Sequence, residues 1–358
     1  MVFGPNASVD VGGSFHASSA DYLRMKDGAR FQATNPDAST LSAAPPEAFG
    51  FLSANPQPVM VNGSNLQVTP RNTLGLVGGP VTISNGTLYA PGGTVNIASA
   101  AGPGEVPVDP RAGPPATVAR SGSVQVASKS SLLASGENGG TGGSVFIRAG
   151  DLSVSASDIG ADNNGSGPGG VLSLHGDRTV AISNGATVRA DANGAGRGAD
   201  ASIGTTAGGT VTLDAATVRT VAFAAGDSGT VAINTGALTL RNGAVVQSAA
   251  TDRGNGGPIS VAADSVLLDG RGASFSSGAF GTGLAGAVGA GGRISLTGGT
   301  LSIQNGATIE ANSFGTGPGG PISVAMTGNV VVATSCLPSF RFNDGDGRRS
   351  RDGSSWIA

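Results

Sequence analysis

Aspartate is the residue type that could support catalysis in this sequence, but the aspartates do not share one place in any pattern. A polysaccharide-cleaving site would need two carboxylates that project from neighbouring strands to nearly the same point. Most of the central aspartates stand beside glycines or at predicted corners instead: Asp177, Asp191, Asp200, Asp214, Asp227, Asp252, Asp264 and Asp269. Sugar subsites also favour aromatic platforms, and the chain has one Trp and two Tyr. The sequence therefore predicts turn-forming, solvated aspartates, no catalytic residues and no enzyme activity.

Histidine and cysteine are too scarce to predict nucleophilic or metal chemistry. The chain contains two His, His16 and His175, and the single Cys336, whereas a catalytic triad or a zinc site brings several such side chains together. His175 follows alternating aliphatic residues and is predicted to face outwards from a strand. Residues 343–347, Asn-Asp-Gly-Asp-Gly, are similar to part of a calcium loop but lack the glutamate and the acid spacing that such a loop requires. We expect no metal site and no cofactor.

The elements that would have to position any functional side chain come from one repeated phrase. A Gly-Gly pair, predicted to form a two-residue turn, precedes a short run of alternating aliphatic residues at 142–143, 208–209, 256–257, 291–292 and 319–320. A corner separates two further aliphatic runs at Asn184-Gly185, Asn242-Gly243 and Asn305-Gly306. Asn and Gly tolerate positive φ, so each pair can bend one strand into the next. The Gly-Gly pairs recur at intervals of roughly 27 to 39 residues, which predicts about one coil per interval.

Two repeat architectures fit period-two alternation with Asn-Gly corners: a hairpin-rich antiparallel sandwich and a parallel β-helix. A sandwich would place two-residue loops between adjacent strands and aromatic anchors in its centre. Here the strands are very short, the inward residues are nearly all Val, Ile and Leu, and aromatic residues make up only 4% of the chain. Like residues at like positions are what stacking from coil to coil requires. We therefore predict an all-β fold, an elongated right-handed parallel β-helix.

Composition excludes several classes of function. Only 12% of the 358 residues are charged, 62 are glycine and the net charge is −3. Lys26 and Lys129 are the only lysines, so no basic patch is available to neutralise phosphates and nucleic-acid binding is not expected. No stretch approaches the length of a membrane-spanning helix, and no basic-then-apolar signal peptide precedes Val2. A low charge content with regularly spaced β-branched residues is typical of an extracellular repeat protein.

The first hundred residues closely resemble the later part of the secretion domain of the filamentous haemagglutinin family, the large exoproteins of two-partner secretion. Several phrases occur in family order: Gly-Gly-Ser-Phe at 12–15, Ala-Asp-Tyr-Leu-Arg at 20–24, Asp-Gly-Ala-Arg-Phe at 27–31, Thr-Leu-Gly-Leu-Val-Gly-Gly at 73–79 and Ala-Pro-Gly-Gly at 90–93. They follow an opening phrase of Phe3, Gly4, Pro5, Asn6 and Ala7. The residues assigned to the secretion-domain motif by this resemblance are Phe3, Gly4, Pro5, Asn6, Ala7, Gly12, Gly13 and Phe15.

The resemblance implies a partner and a location. Family members carry a signal peptide and an Asn-Pro-Asn segment upstream of the opening phrase, and an outer-membrane transporter of the two-partner type recognises them. Neither segment stands in this chain, so we expect a secretion domain and β-helix truncated at the N-terminal end. The full-length form would be extracellular or on the outer cell surface. Its other partners would be glycans or proteins on host or neighbouring cells.

Four regions are expected along the chain. They are a partial secretion domain at 1–100, a Pro- and Gly-rich loop or spacer at 101–122, a β-helical shaft at 123–333 and an irregular polar tail at 334–358. The Pro-rich segment could be a loop extruded from the coils, displayed for binding, or a spacer or hinge between two parts of one helix. The tail could be a truncated or frame-shifted end, or a dedicated cap of the last coil.

The function that these features favour is a non-catalytic, surface-associated adhesin exported by two-partner secretion. Stacked coils make a stiff rod, and weak binding along its polar outer faces would gain avidity from multivalency. An S-layer-like or extracellular matrix scaffold would have the same fold and would differ only in what the outside touches. A β-helical polysaccharide-cleaving enzyme is a further alternative, which the scattered aspartates do not favour.

Overall fold

Strands stack in parallel along most of the chain, because residues of like type recur once per coil. The computed structural model describes residues 1–40, 42–111, 116–136, 140–270, 272–279, 288–313 and 316–333. Hydrogen bonds in which a side chain contacts the adjacent coil join residues 27 to 30 apart along most of the stack. This separation lengthens to 35 and 36 residues for bonds that reach Ala290 and Asn305.

The described residues form strands joined by turns and irregular loops. They include one short 3-10 helix at Pro36–Ala38 and no α-helix. The strands are β1 (Val2–Phe3), β2 (Phe15–Ser18), β3 (Tyr22–Met25), β4 (Arg30–Gln32), β5 (Pro46–Phe51), β6 (Val59–Asn62), β7 (Asn65–Gln67), β8 (Thr73–Gly78), β9 (Val81–Ser84), β10 (Thr87–Tyr89), β11 (Thr94–Ser99), β12 (Gly104–Pro107), β13 (Ser123–Ala127), β14 (Ser131–Leu133), β15 (Ser144–Ser155), β16 (Asp158–Gly160), β17 (Val171–Ser183), β18 (Thr187–Arg189), β19 (Asp200–Thr205), β20 (Thr210–Asp214), β21 (Thr217–Ala222), β22 (Val231–Arg241), β23 (Val245–Ala250), β24 (Ile259–Asp269), β25 (Ser274–Ala279), β26 (Ile294–Gln304), β27 (Thr308–Ser313), β28 (Ile322–Met326) and β29 (Val330–Ala333).

Each coil contributes to three parallel faces. Face 1 contains β2, β8, β11, β19 and β28, with the first halves of β15, β17, β22, β24 and β26. Face 2 contains β1, β6, β9, β13, β20 and β29, with the second halves of the same long strands. Face 3 is the nine-stranded sheet from β7 to β27. The fold is therefore the predicted all-β parallel β-helix.

Faces 1 and 2 form one hydrogen-bonded sheet, because the long strands continue around the corner between them. In β15, residues 145–149 pair with 172–176 and residues 151–155 pair with 179–183, with a register shift between Ala149 and Asp151. Face 3 remains separate, since tight corners on one side and longer loops on the other interrupt the strands.

The core is a set of aliphatic ladders along the helix axis. Val145, Leu172, Ala201, Val231 and Ile259 are partners on successive coils, and all five are buried. Burying one such aliphatic side chain contributes about 1.5–3 kcal/mol. The last described coil differs from the sequence prediction, since Val324 is 39% exposed although the same phrase is buried elsewhere. Among the described residues, no further coil covers β28, which explains the exposure.

Close packing of backbone explains most of the Gly-Gly pairs better than turn geometry does. Among the predicted pairs, only Gly208 has a positive φ, of 80°. An added Cβ would lie 1.8 Å from the Ala134 carbonyl oxygen at Gly143, and 1.9 Å from the Gly257 carbonyl oxygen at Gly292. These glycines let neighbouring coils approach where a side chain would block contact.

An antiparallel sheet lies outside the coils and accounts for the irregular start of the chain. Strands β12, β5, β3 and β4 pair in that order, and Phe49, Phe51 and Val106 pack against Val77 and Ala98 of face 1. Within the Pro-rich segment, which was predicted to be an extruded loop or a spacer, residues 104–107 form β12 against β5. Coil stacking is also continuous across it, since β9 pairs directly with β13 and β11 with β15.

Candidate functional site

The secretion-domain motif lies at the N-terminal end of the coil stack. Phe3 pairs with Val61, and its ring meets the Phe15 ring edge-on with centroids 6.4 Å apart. Phe3, Ala7 and Phe15 are partly buried against the main core. A turn carries the chain between these contacts, because the Ala7 amide donates to the Gly4 carbonyl oxygen at 2.9 Å.

The remaining motif residues are placed more openly. The Ser64 hydroxyl donates to the Gly4 carbonyl oxygen at 2.7 Å, while Pro5 and Asn6 are exposed. Gly12 and Gly13 have no heavy atom within 4 Å of an added Cβ. The motif therefore brings its aromatic residues together and leaves both glycines facing open space.

The three Asn-Gly corners have both residues in the left-handed region. The φ values are 57° and 76° at Asn184 and Gly185, 54° and 79° at Asn242 and Gly243, and 55° and 81° at Asn305 and Gly306. Each asparagine also donates its side-chain amide to the preceding coil: Asn184 to the Ser155 hydroxyl at 2.8 Å, Asn242 to Asp214 at 2.7 Å and Asn305 to Asp269 at 2.6 Å. The corners thus bend the chain and link adjacent coils.

Most of the described aspartates that the sequence analysis singled out are partly exposed, as expected for corner residues. Asp200 pairs with Arg197 at 2.5 Å, and Asp177 lies 3.7 Å from Nε2 of His175. Asp214 pairs with Arg241 at 2.8 Å, and its pKa is lowered, first by the hydrogen bond from Asn242.

Asp191 is different, and its burial is a correction to the prediction that these aspartates are solvated. The residue is only 2% exposed. Its carboxylate pairs with the Arg219 guanidinium at 2.8 Å and accepts the Val221 amide at 2.9 Å. Burial is the largest influence on this carboxyl and raises its pKa, while Arg219 opposes that shift.

A second buried carboxylate, which sequence reasoning missed, stacks directly on Asp191. Asp162 is also 2% exposed and accepts the Asp191 amide at 3.1 Å. Arg189 contacts Asp162 and spans to Asp158 at 2.9 Å. Gly160 leaves room for this reach, since a Cβ there would lie 3.1 Å from Nη2 of Arg189. The signal in the sequence was the separation of 29 residues, one coil, between the two acids.

The stacked pair places two carboxylates on adjacent coils, as a carbohydrate-cleaving site would need, but a substrate could not reach them. Asp162 and Asp191 come from adjacent coils, yet both are buried and both are bound by arginine. A general acid or base must reach its substrate within hydrogen-bond distance. This arrangement therefore supports a structural ladder that ties coils together.

An open groove crosses the outside of face 3 beside this ladder. Its volume is about 460 Å³, and its lining comes from four successive coils: Lys129, Ser130, Ser131, Ala156, Ser157, Asp158, Gly185, Thr187, Arg189 and Arg219. We call it the face-3 groove. Arginine and lysine donors with serine and threonine hydroxyls dominate its surface, so it can offer hydrogen bonds to an oxygen-rich molecule.

Neither histidine belongs to a metal centre in the described residues, where no three His, Cys, Asp or Glu side chains lie close enough to hold an ion. His16 packs 5.9 Å from the Phe49 ring, its Nδ1 is buried without a hydrogen-bond partner, and burial lowers its pKa. Cys336 and residues 343–347 lie outside the described residues.

Comparison with known families adds to this geometry. Residues 1–145 match the model of the TPS secretion domain, the domain that directs two-partner secretion. No curated protein and no solved structure matches the chain. The described part of the chain contains no helix with the length and hydrophobicity that a membrane crossing requires. A TPS secretion domain implies a secreted protein and a transporter partner of the two-partner type. Residues 1–145 are thus a TPS secretion domain, consistent with a two-partner secretion exoprotein of the filamentous haemagglutinin type.

Proposed function

We propose that this chain is a non-catalytic adhesin, displayed at the cell surface after two-partner secretion, that binds glycans or proteins of host or neighbouring cells. The observation that carries the proposal is a TPS secretion domain at residues 1–145 joined to a stack of coils. The six strands of face 3 beyond residue 145, from β16 to β27, extend the stack past the secretion domain by roughly 29 Å at about 4.8 Å per coil. Such a rod holds its outer faces away from the end that carries the secretion domain.

The outer surface of face 1 supports a role in contact. One outward row contains Ser173, Ser202, Ser260, Ser295 and Ser323 on successive or near-successive coils. Repeated hydroxyls at a fixed spacing offer many equivalent weak contacts, which gain strength when several are used at once.

The use of the acidic residues supports a non-catalytic role. Asp151, Asp158, Asp162, Asp191 and Asp214 each hold an arginine of the following coil. Carboxylates engaged in this way link coils, and proton transfer to a substrate would require breaking those ion pairs.

Adherence of the purified chain to cells tests the proposal. Full-length protein would be immobilised on beads at a series of densities and exposed to panels of epithelial and bacterial cells. We expect bound cells to rise more steeply than linearly with density, and soluble protein to compete. Beads coated with protein unfolded by heat are the control for non-specific adhesion.

Two outcomes would contradict the proposal. Absence of adherence at every density, together with ordered self-assembly of the soluble chain, would favour a matrix or S-layer-like scaffold instead. Release of reducing ends from a panel of acidic polysaccharides would show that the chain is an enzyme.

A further inference from the structure

The lysine in the face-3 groove has a free charge. Lys129 is one of two lysines in the chain, and its ammonium makes no ion pair or hydrogen bond with the residues that the structure describes. Its backbone φ of 62° and the bond from its amide to the Ala156 carbonyl oxygen, at 2.8 Å, fix it at a corner. The groove therefore begins at a positioned, unneutralised cation.

The opposite end of the groove also keeps donors available. Arg219 uses Nε and Nη2 for Asp191, which leaves Nη1 without a partner among the described residues. By contrast, Arg189 in the groove wall is occupied by Asp158 and Asp162. Lys129 and Arg219 lie three coil steps apart, which is about 14 Å along the helix axis, and they are offset by four residues along the strand direction.

Between these ends the surface is small and hydroxylated. Ser131, Asp158 and Thr187 are neighbours in one outward row of face 3, and Asp158 shares Arg189 with the buried Asp162. Ala156 and Gly185 also line the groove and keep it open. Arg219 aligns with Gly160 and Arg189, whereas Lys129 lies two residues before Ser131, so a ligand that meets cation, hydroxyls and guanidinium in that order crosses the coils obliquely.

An exposed aromatic ring stands at the Arg219 end. Phe223 is 47% exposed, and the Arg219 guanidinium carbon lies 5.9 Å from its ring centroid. Aromatic rings offer a flat apolar face, against which the CH-rich face of a sugar ring can pack. This contact was absent from the sequence prediction, which counted Trp and Tyr as platforms and overlooked Phe.

We propose that the face-3 groove binds an extended acidic polysaccharide, with Lys129 and Arg219 holding carboxylates and Phe223 packing on a sugar ring. Its biological use as an attachment site rests on the proposed adhesin function, but binding can be measured without cells. Nucleic acid fits less well, because Lys129 and Arg219 are too few cations to neutralise a run of phosphates.

Binding of defined oligosaccharides by the full chain tests this proposal. The probe is polygalacturonate oligomers, and the matched ligand control is the same oligomers fully methyl-esterified, which keep the backbone and lose the charge. Isothermal titration would be performed at low and at physiological salt. We expect binding of the acidic form only, weakened by salt because the contacts lie at the surface.

Variants assign the binding to the groove. Lys129→Gln removes the free charge and should weaken binding about twofold to fivefold, as expected for one exposed charge contact. Phe223→Leu should weaken it by a similar factor. Lys26→Gln is the matched control, since Lys26 is the other lysine, is exposed and lies in the turn between β3 and β4 of the antiparallel sheet. Unfolding of each variant, followed by circular dichroism, would verify that it is folded.

The outcomes separate this proposal from the adhesin function. Equal binding of both oligomer forms, no binding of either, or equal losses from Lys129→Gln and Lys26→Gln would overturn the groove assignment. Tighter binding of single-stranded DNA than of polygalacturonate would also overturn it. Cell adherence that persists when the groove fails to bind would leave the adhesin function intact, whereas groove binding without adherence would refute that function alone.

Discussion

Removing Arg219 should destabilise the protein far more than removing a similar surface arginine, because its partner is buried. Arg219 and Arg241 each pair with an aspartate of the preceding coil at 2.8 Å. The Asp191 side chain is 2% exposed, whereas the Asp214 side chain is 27% exposed. Arg219→Met and Arg241→Met both keep an apolar stem of similar length and remove the guanidinium.

The expected magnitudes follow from this difference in burial. Breaking a fully buried ion pair costs about 3–5 kcal/mol, but the Arg219 side chain is 34% exposed, so solvent replaces part of its contribution. We expect Arg219→Met to lower the free energy of unfolding by about 2–3 kcal/mol at pH 7. Arg241→Met should cost no more than about 1 kcal/mol. Urea denaturation followed by circular dichroism measures both.

The dependence on pH gives this prediction its sign. Burial places the pKa of Asp191 above its ordinary value of 3.8. The free energy of unfolding therefore falls as the pH rises from the unfolded pKa to the folded pKa, because Asp191 must then ionise in a buried place. Loss of Arg219 raises that pKa further. The deficit of Arg219→Met relative to Arg241→Met should therefore shrink on acidification towards pH 4, as Asp191 takes up a proton.

A double variant completes the test. Asp191→Asn combined with Arg219→Met removes the buried charge and keeps an oxygen that can accept the Val221 amide, so most of the lost stability should return. The reasoning is refuted if Arg219→Met costs no more than Arg241→Met at pH 7. A deficit that does not change with pH would also refute it.

Three further predictions concern packing and corners. Gly257→Ala would place a Cβ 2.0 Å from the Gly229 carbonyl oxygen and should lower the free energy of unfolding by about 1–3 kcal/mol. Gly12→Ala, at a position with open space around it, should leave the stability unchanged. Equal urea midpoints for the two variants would contradict this prediction. Asn242→Asp sets a carboxylate against Asp214 and should cost about 1–2 kcal/mol at pH 7, and the loss should fade in acid. Asn184→Asp should destabilise the protein less than Asn242→Asp, because the Ser155 hydroxyl can donate to the new carboxylate. If chemical denaturation showed Asn184→Asp to be the less stable variant, the corners would not link coils in this way. Leu268→Ala, at a buried position, should lower the free energy of unfolding by about 2–5 kcal/mol. Leu267→Ala, at the half-exposed neighbouring position, should lower it clearly less. Similar losses of thermal stability in the two variants would show that the inward face is misassigned.

The repeat made the fold predictable because parallel stacking imposes the same demand on every coil. Aliphatic residues two apart in each phrase predicted the inward positions of Val145, Ile259 and Ile294. Val324 has the same place in its phrase but is partly exposed, because the burial of an inward residue also depends on the next coil covering it.

Other parts of the fold depend on distant pairings that local patterns do not encode. The antiparallel sheet outside face 1 joins β12 to β5, more than 50 residues earlier, and Arg24 pairs with both Glu47 and Glu105 to hold it together. The Pro-rich composition predicted a loop because proline removes a backbone donor. It gave no indication that residues 104–107 would find a partner strand.

The sequence by itself determined the coil: its period, its aliphatic interior and corners such as Asn242-Gly243, where left-handed backbone is required. It also carried the phrases by which residues 1–145 match a TPS secretion domain. Only the tertiary structure decided which side chains face one another across coils. The burial of Asp191 under Arg219 and the face-3 groove from Lys129 to Arg219, with Phe223 beside Arg219, both depend on that register. The reason is physical, because local patterns fix which side of a strand a residue occupies, while its neighbours on that side come from residues one coil away.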